Sequence, residues 1–388
     1  PGVWLSSTVM STDALLLPLW SLGLLALWQL RQAPSVLNGV LLGAAIGAAM
    51  LAKYAALYFV LGAGLAAIVD PDTRKALLSL SGIAAFVALL AVLARNLLWN
   101  AANDFATVGH TGDNANWSNA SFDPGNLLKF AVDQLGVFGP ITLGLLCFCI
   151  AVVLLNGRAP ELRREQWLLC FILPPLIIIA VQAFVSRAHA NWAASAYPAA
   201  AVLVGALAMS RGLRTWTFSG VALNVFVGLA YLWLALSPAT ANAIGADNAF
   251  KRVRGWEATT AQLGQIAADT NATAILFDER EPWHAADFYG ETIDLPPIRI
   301  WRSLEGPQNF AEETAALSEG EDGRVLVAVS VPAYQVRIAA DFEQFDPGGV
   351  LEIPIGPDRY RRFDLFIASG FAPLPRTDDY FETYPLPE

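Results

Sequence analysis

Apolar and polar positions divide the chain near residue 236. Residues 13–236 run through Leu- and Ala-rich stretches broken by short polar islands, whereas 237–388 alternate apolar and polar positions as globular sequence does. Eight apolar stretches in the first part are about long enough to cross a bilayer: 13–30, 36–52, 54–69, 76–98, 136–155, 167–185, 192–209 and 215–236. The pattern predicts an α-helical polytopic membrane domain over 1–236, followed by a small soluble α/β domain over 237–388. Gly39, Gly43 and Gly47 recur every four residues in the second stretch. They share one helix face and let a neighbouring helix approach closely. In the tail, spacing predicts helices at 256–269, 283–289 and 333–342. Apolar runs predict strands at 274–277, 325–329, 351–355 and 363–367.

Charge sharpens this division. Residues 1–236 hold twelve Lys and Arg against nine Asp and Glu, and 237–388 hold twelve against twenty-five, a net charge near −13. So acidic a tail argues against nucleic acid or an anionic membrane surface as its partner. In the short loops, eight basic residues fall on one side (Arg31, Arg74, Lys75, Arg158, Arg163, Arg164, Arg211, Arg214) and four on the other (Lys53, Arg95, Lys129, Arg187). The richer side is cytoplasmic by the positive-inside rule. Residues 237–388 then emerge outside, in the periplasm of a Gram-negative bacterium, with the membrane domain in its inner membrane. Cys147, Cys149 and Cys170 lie in apolar runs and read as small hydrophobes. The chain opens on Pro1 with no signal peptide ahead of Asp13, which reads as a fragment or processed product lacking earlier helices.

The four outer basic residues stand against the insertion bias. Lys53 has apolar sequence on both sides and either snorkels to the headgroups or serves an anion. The polar island 184–198 holds Arg187, His189, Asn191 and Trp192 between two apolar runs, as an interhelical turn or as a functional element. Lys53, Arg95 and Arg187 together suit a lipid-linked phosphate, which Lys and Arg bind through charge-assisted hydrogen bonds. The outer loop 95–129 adds Trp99, Asn100 and His110, residue types found at membrane interfaces and on sugar-binding surfaces. Asp13 opens a long apolar helix. It either complements the helix dipole after a Ser11 or Thr12 cap, or acts as a general base or acceptor-positioning carboxylate. In the tail, Asp278, Glu279, Glu281 and His284 read as a solvated strand-to-helix turn, with a metal site as the alternative.

These residues carry a resemblance. Ser11-Thr12-Asp13, Gly43–Gly47 followed by Lys53-Tyr54, Trp99-Asn100, and Ala190-Asn191-Trp192-Ala193-Ala194 with Tyr197-Pro198 occur in order. Together they resemble motifs of the bacterial GT-C glycosyltransferases of the protein-mannosyltransferase and aminoarabinose-transferase group. Ser195 stands where that group has Pro. The resemblance spans roughly residues 8–210 and implies transfer of a sugar from a polyprenyl-phosphate donor, with inversion, outside the inner membrane. The acceptor it implies is a lipid, a glycan or a protein. It places the principal catalytic carboxylate in a loop ahead of this chain, so that the chain alone would be inactive. The expected site has Asp13 as a secondary catalytic acid, for acid–base work or acceptor positioning, and Lys53, Arg95 and Arg187 on the donor phosphate. Tyr54, Trp99, Asn100, His110, His189, Asn191 and Trp192 line it. The residues fix no cofactor, and a divalent metal is left open. The rival readings are a transporter, which would show internal repeats and mid-span charges, and a non-catalytic membrane anchor for the tail.

Overall fold

The computed structural model describes residues 2, 11–102, 105, 107, 120, 122–156, 159–320 and 323–386; His110 and the polar run 111–119 lie outside the described residues. Contacts group the chain into two compact units, Pro1–Leu236 and Ser237–Glu388.

In the first unit, α1 (Asp13–Gln32) and α2 (Val36–Ala52) are joined by a short turn in which Ser35 caps α2 by accepting from Asn38 N. Helix α2 stops at Ala52. There Lys53 takes extended backbone (φ −165°, ψ 131°), and a 3-10 turn at Tyr54–Ala56 leads into α3 (Leu57–Val69). Next come α4 (Pro71–Leu77), capped by Asp70, and α5 (Leu80–Ala102). The glycine seam of α2 lies on α5: a Cβ on Gly39 or Gly43 would collide with the carbonyl oxygen of Ser81 or Ala85. After α6 (Pro124–Phe138) the chain bends by 111° into α7 (Pro140–Leu155) at Gly139, whose φ is +92°. Helix α8 (Arg163–Val185) contains Pro174 and Pro175. A 3-10 helix (Ala190–Ala196), α9 (Tyr197–Leu203) and a π-turn (Val204–Ala208) follow, and α10 (Arg214–Leu236) closes the unit.

Among the described residues, five helices are long and apolar enough to cross a membrane, or six if the bent α6–α7 pair counts as one span. Val36–Ala52 and Tyr54–Val69 are shorter apolar helices. The expected span over 76–98 begins at Leu80 and runs on to Ala102, so Trp99 and Asn100 sit within a helix. The expected span over 136–155 divides, because positive φ at Gly139 ends one helix and Pro140 starts the next. The interior holds Trp20, Leu27, Leu30, Phe59 and Phe171, with Trp20 edge-on to Phe59 at 5.2 Å. Helix α10 leaves Trp216, Phe226 and Trp233 exposed, as a helix facing acyl chains does. At the end of α1 remote from Asp13, Arg31 forks onto Asp70 at 2.8 and 3.0 Å. Asp70 also accepts from Thr73, whose hydroxyl takes Trp167 Nε1 at 3.0 Å.

The second unit is built on a five-stranded sheet of order β2-β1-β3-β5-β4. Strands β1 (Ala274–Phe277), β2 (Ile298–Ile300) and β3 (Val325–Val329) are parallel. The pairs β3–β5 and β5–β4 are antiparallel, with β4 at Phe342–Gly356 and β5 at Arg359–Phe371. Strands β1 and β3 are buried throughout, as parallel strands covered on both faces are. One face carries Trp256, Phe277 and Leu326, the other Leu276, Trp301 and Val327. Helices α11 (Trp256–Asp269) and α12 (Arg280–Gly290) match the expected 256–269 and 283–289. The helix expected over 333–342 is instead a 3-10 turn at Pro332–Tyr334 and a short helix at Gln335–Ala340, because residue 342 already opens β4. Buried Asp341 there accepts from Trp301 Nε1 (2.7 Å), Leu374 N (2.9 Å) and Arg376 Nη1 and Nη2 (2.9 and 2.5 Å).

Candidate functional site

Three separated parts of the first unit meet at the N-terminus of α1. Asp13 is its first residue and only 1 % exposed. As a first-turn carboxylate it complements the helix dipole, while the N-cap Thr12 makes no side-chain capping bond. The carboxylate is satisfied from elsewhere in the chain. Lys53 Nζ lies 2.8 Å from Oδ1, and Asn191 Nδ2 donates to Oδ2 at 2.5 Å. Lys53 reaches it because α2 ends one residue earlier and the extended backbone turns that side chain out of the helix register. Asn191 is supplied by the 3-10 helix Ala190–Ala196. Removing a buried carboxylate from water is costly unless it is paired and hydrogen-bonded, and here each oxygen has its donor. The Lys53 side chain keeps 24 % exposure beside the buried carboxylate.

Tyr54 continues from this point. Its hydroxyl donates to Asn96 Oδ1 at 2.7 Å and accepts from Asn100 Nδ2 at 3.3 Å. Asn96 and Asn100 are one turn apart on α5, and Asn100 Oδ1 takes the backbone N–H of Thr107 at 3.2 Å. Lys53-Tyr54 thereby joins Asp13 and Asn191 on one side to Asn96 and Asn100 on the other.

The remaining expected residues are placed differently. Arg95 and Arg187 are exposed and make no ion pair or hydrogen bond through their guanidinium groups among the described residues. His189 is exposed and stands edge-on to Trp192 at 5.3 Å. Trp192 itself packs against the small cluster of Phe130, Ile179, Ala183 and Ala193, where it anchors the polar island.

Other residues that hold the island carry no charge, and of these only Tyr197 stood out in the sequence, within the Tyr197-Pro198 motif. Gln134 of α6 donates to Ala190 O at 3.1 Å and accepts from Tyr197 Oη at 2.6 Å, and the Tyr197 ring stacks on Phe138 at 4.4 Å. Asn126 donates to Ser186 O at 2.9 Å and Gln182 to Arg187 O at 3.1 Å. The signal available in the sequence was a lone amide within an apolar run.

In the acidic cluster of the tail, expected as a solvated turn, Asp278 is instead buried. Asp278 accepts from Ser330 N and Oγ (both 2.8 Å) and from Val331 N (2.6 Å), so its lone pairs are spent tying the end of β1 to the end of β3. Burial pushes its carboxyl above the usual range, with those hydrogen bonds opposing. Among the described residues no three His, Cys, Asp or Glu side chains group so as to hold an ion.

A family model described as dolichyl-phosphate-mannose-protein mannosyltransferase matches residues 2–99. Over 333 residues the chain is 32 % identical to the lipid A galacturonosyltransferase RgtD of Rhizobium johnstonii, an alignment covering 84 % of this chain and 67 % of that protein. No solved structure matches the chain.

Proposed function

Since the chain belongs to the GT-C membrane glycosyltransferases, we propose that it transfers a sugar from a polyprenyl-phosphate-linked donor to a lipid or glycan acceptor. The transfer takes place at the outer face of the inner membrane, with residues 237–388 in the periplasm. The activity carried in the name of its Rhizobium relative makes a lipid A-type glycolipid the first acceptor to test and a uronosyl group the first sugar. The observation that carries the reading is the Asp13–Lys53–Asn191 constellation.

In the proposed reaction the acceptor oxygen attacks the anomeric carbon from the face opposite the carrier. The bond from that carbon to the phosphate oxygen breaks, and the phosphate leaves with the electron pair and an added negative charge. The acceptor proton passes to a carboxylate base. Lys53 suits the leaving phosphate: an ammonium has three donors, and Asp13 takes one. Asp13 suits the role of orienting Lys53 better than that of base, because both its oxygens are engaged and it is shut away from solvent. Arg187 and Arg95, unpaired and exposed, are the further cations proposed for the carrier phosphate. Tyr54, Trp99, Asn100, His110, His189, Asn191 and Trp192 are proposed to line the site.

The test is transfer in membranes supplied with a polyprenyl-phosphate sugar. Lys53→Ala is expected to lower kcat/KM by about 10²–10³. Asp13→Asn, which frees Lys53 from its anchor, should cost about 10-fold or more. Wild-type turnover in Lys53→Ala would remove Lys53 from the reaction and with it the proposed site.

A further inference from the structure

The second unit carries a feature that the transferase reading does not use. A cleft of about 440 Å³ opens at the carboxyl ends of β1 and β3, lined by Glu279, Glu281 and Ser330 and also by Lys251, Arg252 and Arg361. Its position follows from the topology. The chain leaves β1 through α12 toward β2 on one side, and leaves β3 toward β4 and β5 on the other. Where connections from neighbouring parallel strands diverge, a crevice opens beyond their carboxyl ends, and open α/β sheets bind ligands there. Its volume lies within the range of small-molecule pockets.

Charge identifies the class of ligand. The unit holds twelve Lys and Arg against twenty-five Asp and Glu. Four of those twelve cations, Lys251, Arg252, Arg361 and Arg362, line this one cleft. A cationic pocket in a strongly acidic domain admits a compact anion, while the surrounding field repels an extended polyanion. The cationic wall is held in place: Arg361 stacks on Trp256 with Cζ 3.3 Å from the ring centroid and donates to Lys251 O (2.9 Å) and Arg254 O (3.0 Å). The side chains of Lys251 and Arg252 form no hydrogen bond or ion pair among the described residues, nor do those of Glu279 and Glu281. Free carboxylates accept from hydroxyl groups, and free ammonium and guanidinium groups donate to phosphate or carboxylate. Exposed Tyr360 adds an aromatic face to the lining.

We infer that this cleft binds an anionic saccharide, with its phosphate or carboxylate on Lys251 and Arg252 and its hydroxyls on Glu279 and Glu281. The inference is independent of the transferase reading, since binding here needs no turnover.

The test is calorimetric titration of the detergent-solubilised full chain with glucose 1-phosphate, glucuronate, glucose and inorganic phosphate. One or both anionic sugars should saturate a single site, the stronger of the two identifying phosphate or carboxylate as the preferred group, while glucose binds at least about tenfold more weakly. The exposed pair exchange Lys251→Glu/Arg252→Glu should weaken that binding by at least about tenfold. The conservative exchange Lys251→Arg/Arg252→Lys, which keeps both charges, should leave binding within about threefold and so ties the loss in the first variant to charge. Failure of both sugars to saturate overturns the inference, as does binding unchanged by the pair exchange. Inorganic phosphate binding as tightly as glucose 1-phosphate would also overturn it, by leaving the saccharide no part in recognition.

Discussion

Arg376 is 6 % exposed and its partner Asp341 is fully buried, and the guanidinium also donates to Leu374 O and Arg302 O. Loss of one member of such a pair strands the other without solvent. Arg376→Ala is expected to destabilise the second unit by about 3–5 kcal/mol in chemical denaturation. Lys129→Ala, which breaks an exposed pair with Asp133, should stay within about 0.5 kcal/mol. Tyr380 lies beside Arg376, and its hydroxyl is buried with no hydrogen-bond partner among the described residues. Burial pushes its pKa up to about 12, with Asp341 adding and Arg376 opposing. The folded state therefore keeps a proton that the unfolded chain releases near pH 10. Stability from this group is full below pH 10 and is lost as pH rises through about 12. Tyr380→Phe should flatten that alkaline loss and leave neutral-pH stability equal or higher, read by thermal unfolding across pH 8–12. Charge made some of these side chains legible in advance. Asp13 and Lys53 stood out because ionised groups beside apolar runs demand a partner. Gln134, which holds the Ala190 carbonyl, did not, since a neutral amide in a helix can be satisfied by that helix's own backbone.

Among the elements, the α2–α5 seam was readable and the α6–α7 bend was not. Glycine at 39, 43 and 47 announces close approach by spacing alone, and the structure sets Ser81 and Ala85 against two of them. Gly43→Val is expected to force the helices apart and lower the thermal midpoint of the solubilised protein, at a cost of about 1–3 kcal/mol. The bend depends on a backbone angle, φ +92° at Gly139, which composition does not encode. Asn224 Nδ2 reaches back from α10 to Phe138 O at 3.0 Å and stabilises it through a contact 86 residues away in sequence. Strand β2 escaped for a different reason. Three residues after Pro296-Pro297 make no recognisable run, and Ile298–Ile300 becomes a strand because β1 offers an open edge. Strands β4 and β5 run well beyond their apolar cores of 351–355 and 363–367, since a long hairpin pairs its backbone whatever side chains face solvent.

For the whole molecule, the proposed orientation makes a prediction that needs no substrate. All three cysteines lie in the first unit, so a cysteine placed at exposed Glu343 reports on residues 237–388 alone once the native three are replaced. A membrane-impermeant maleimide added outside intact inner-membrane spheroplasts is expected to label it fully. Labelling only after lysis would reverse the proposed orientation.

The pairing of Asp13 with Lys53 also bears on biosynthesis. The two charges lie 40 residues apart, on the leading end of α1 and the trailing end of α2, and Asn191 joins them from 178 residues downstream of Asp13. Neither charge is neutralised while its own helix enters the bilayer singly, and an unpaired ion there is costly. Integration of α1 and α2 as one hairpin avoids that cost. Asn191 is synthesised 178 residues after Asp13, so the carboxylate waits half-satisfied over that stretch, and its second oxygen is closed only when the 3-10 helix Ala190–Ala196 docks.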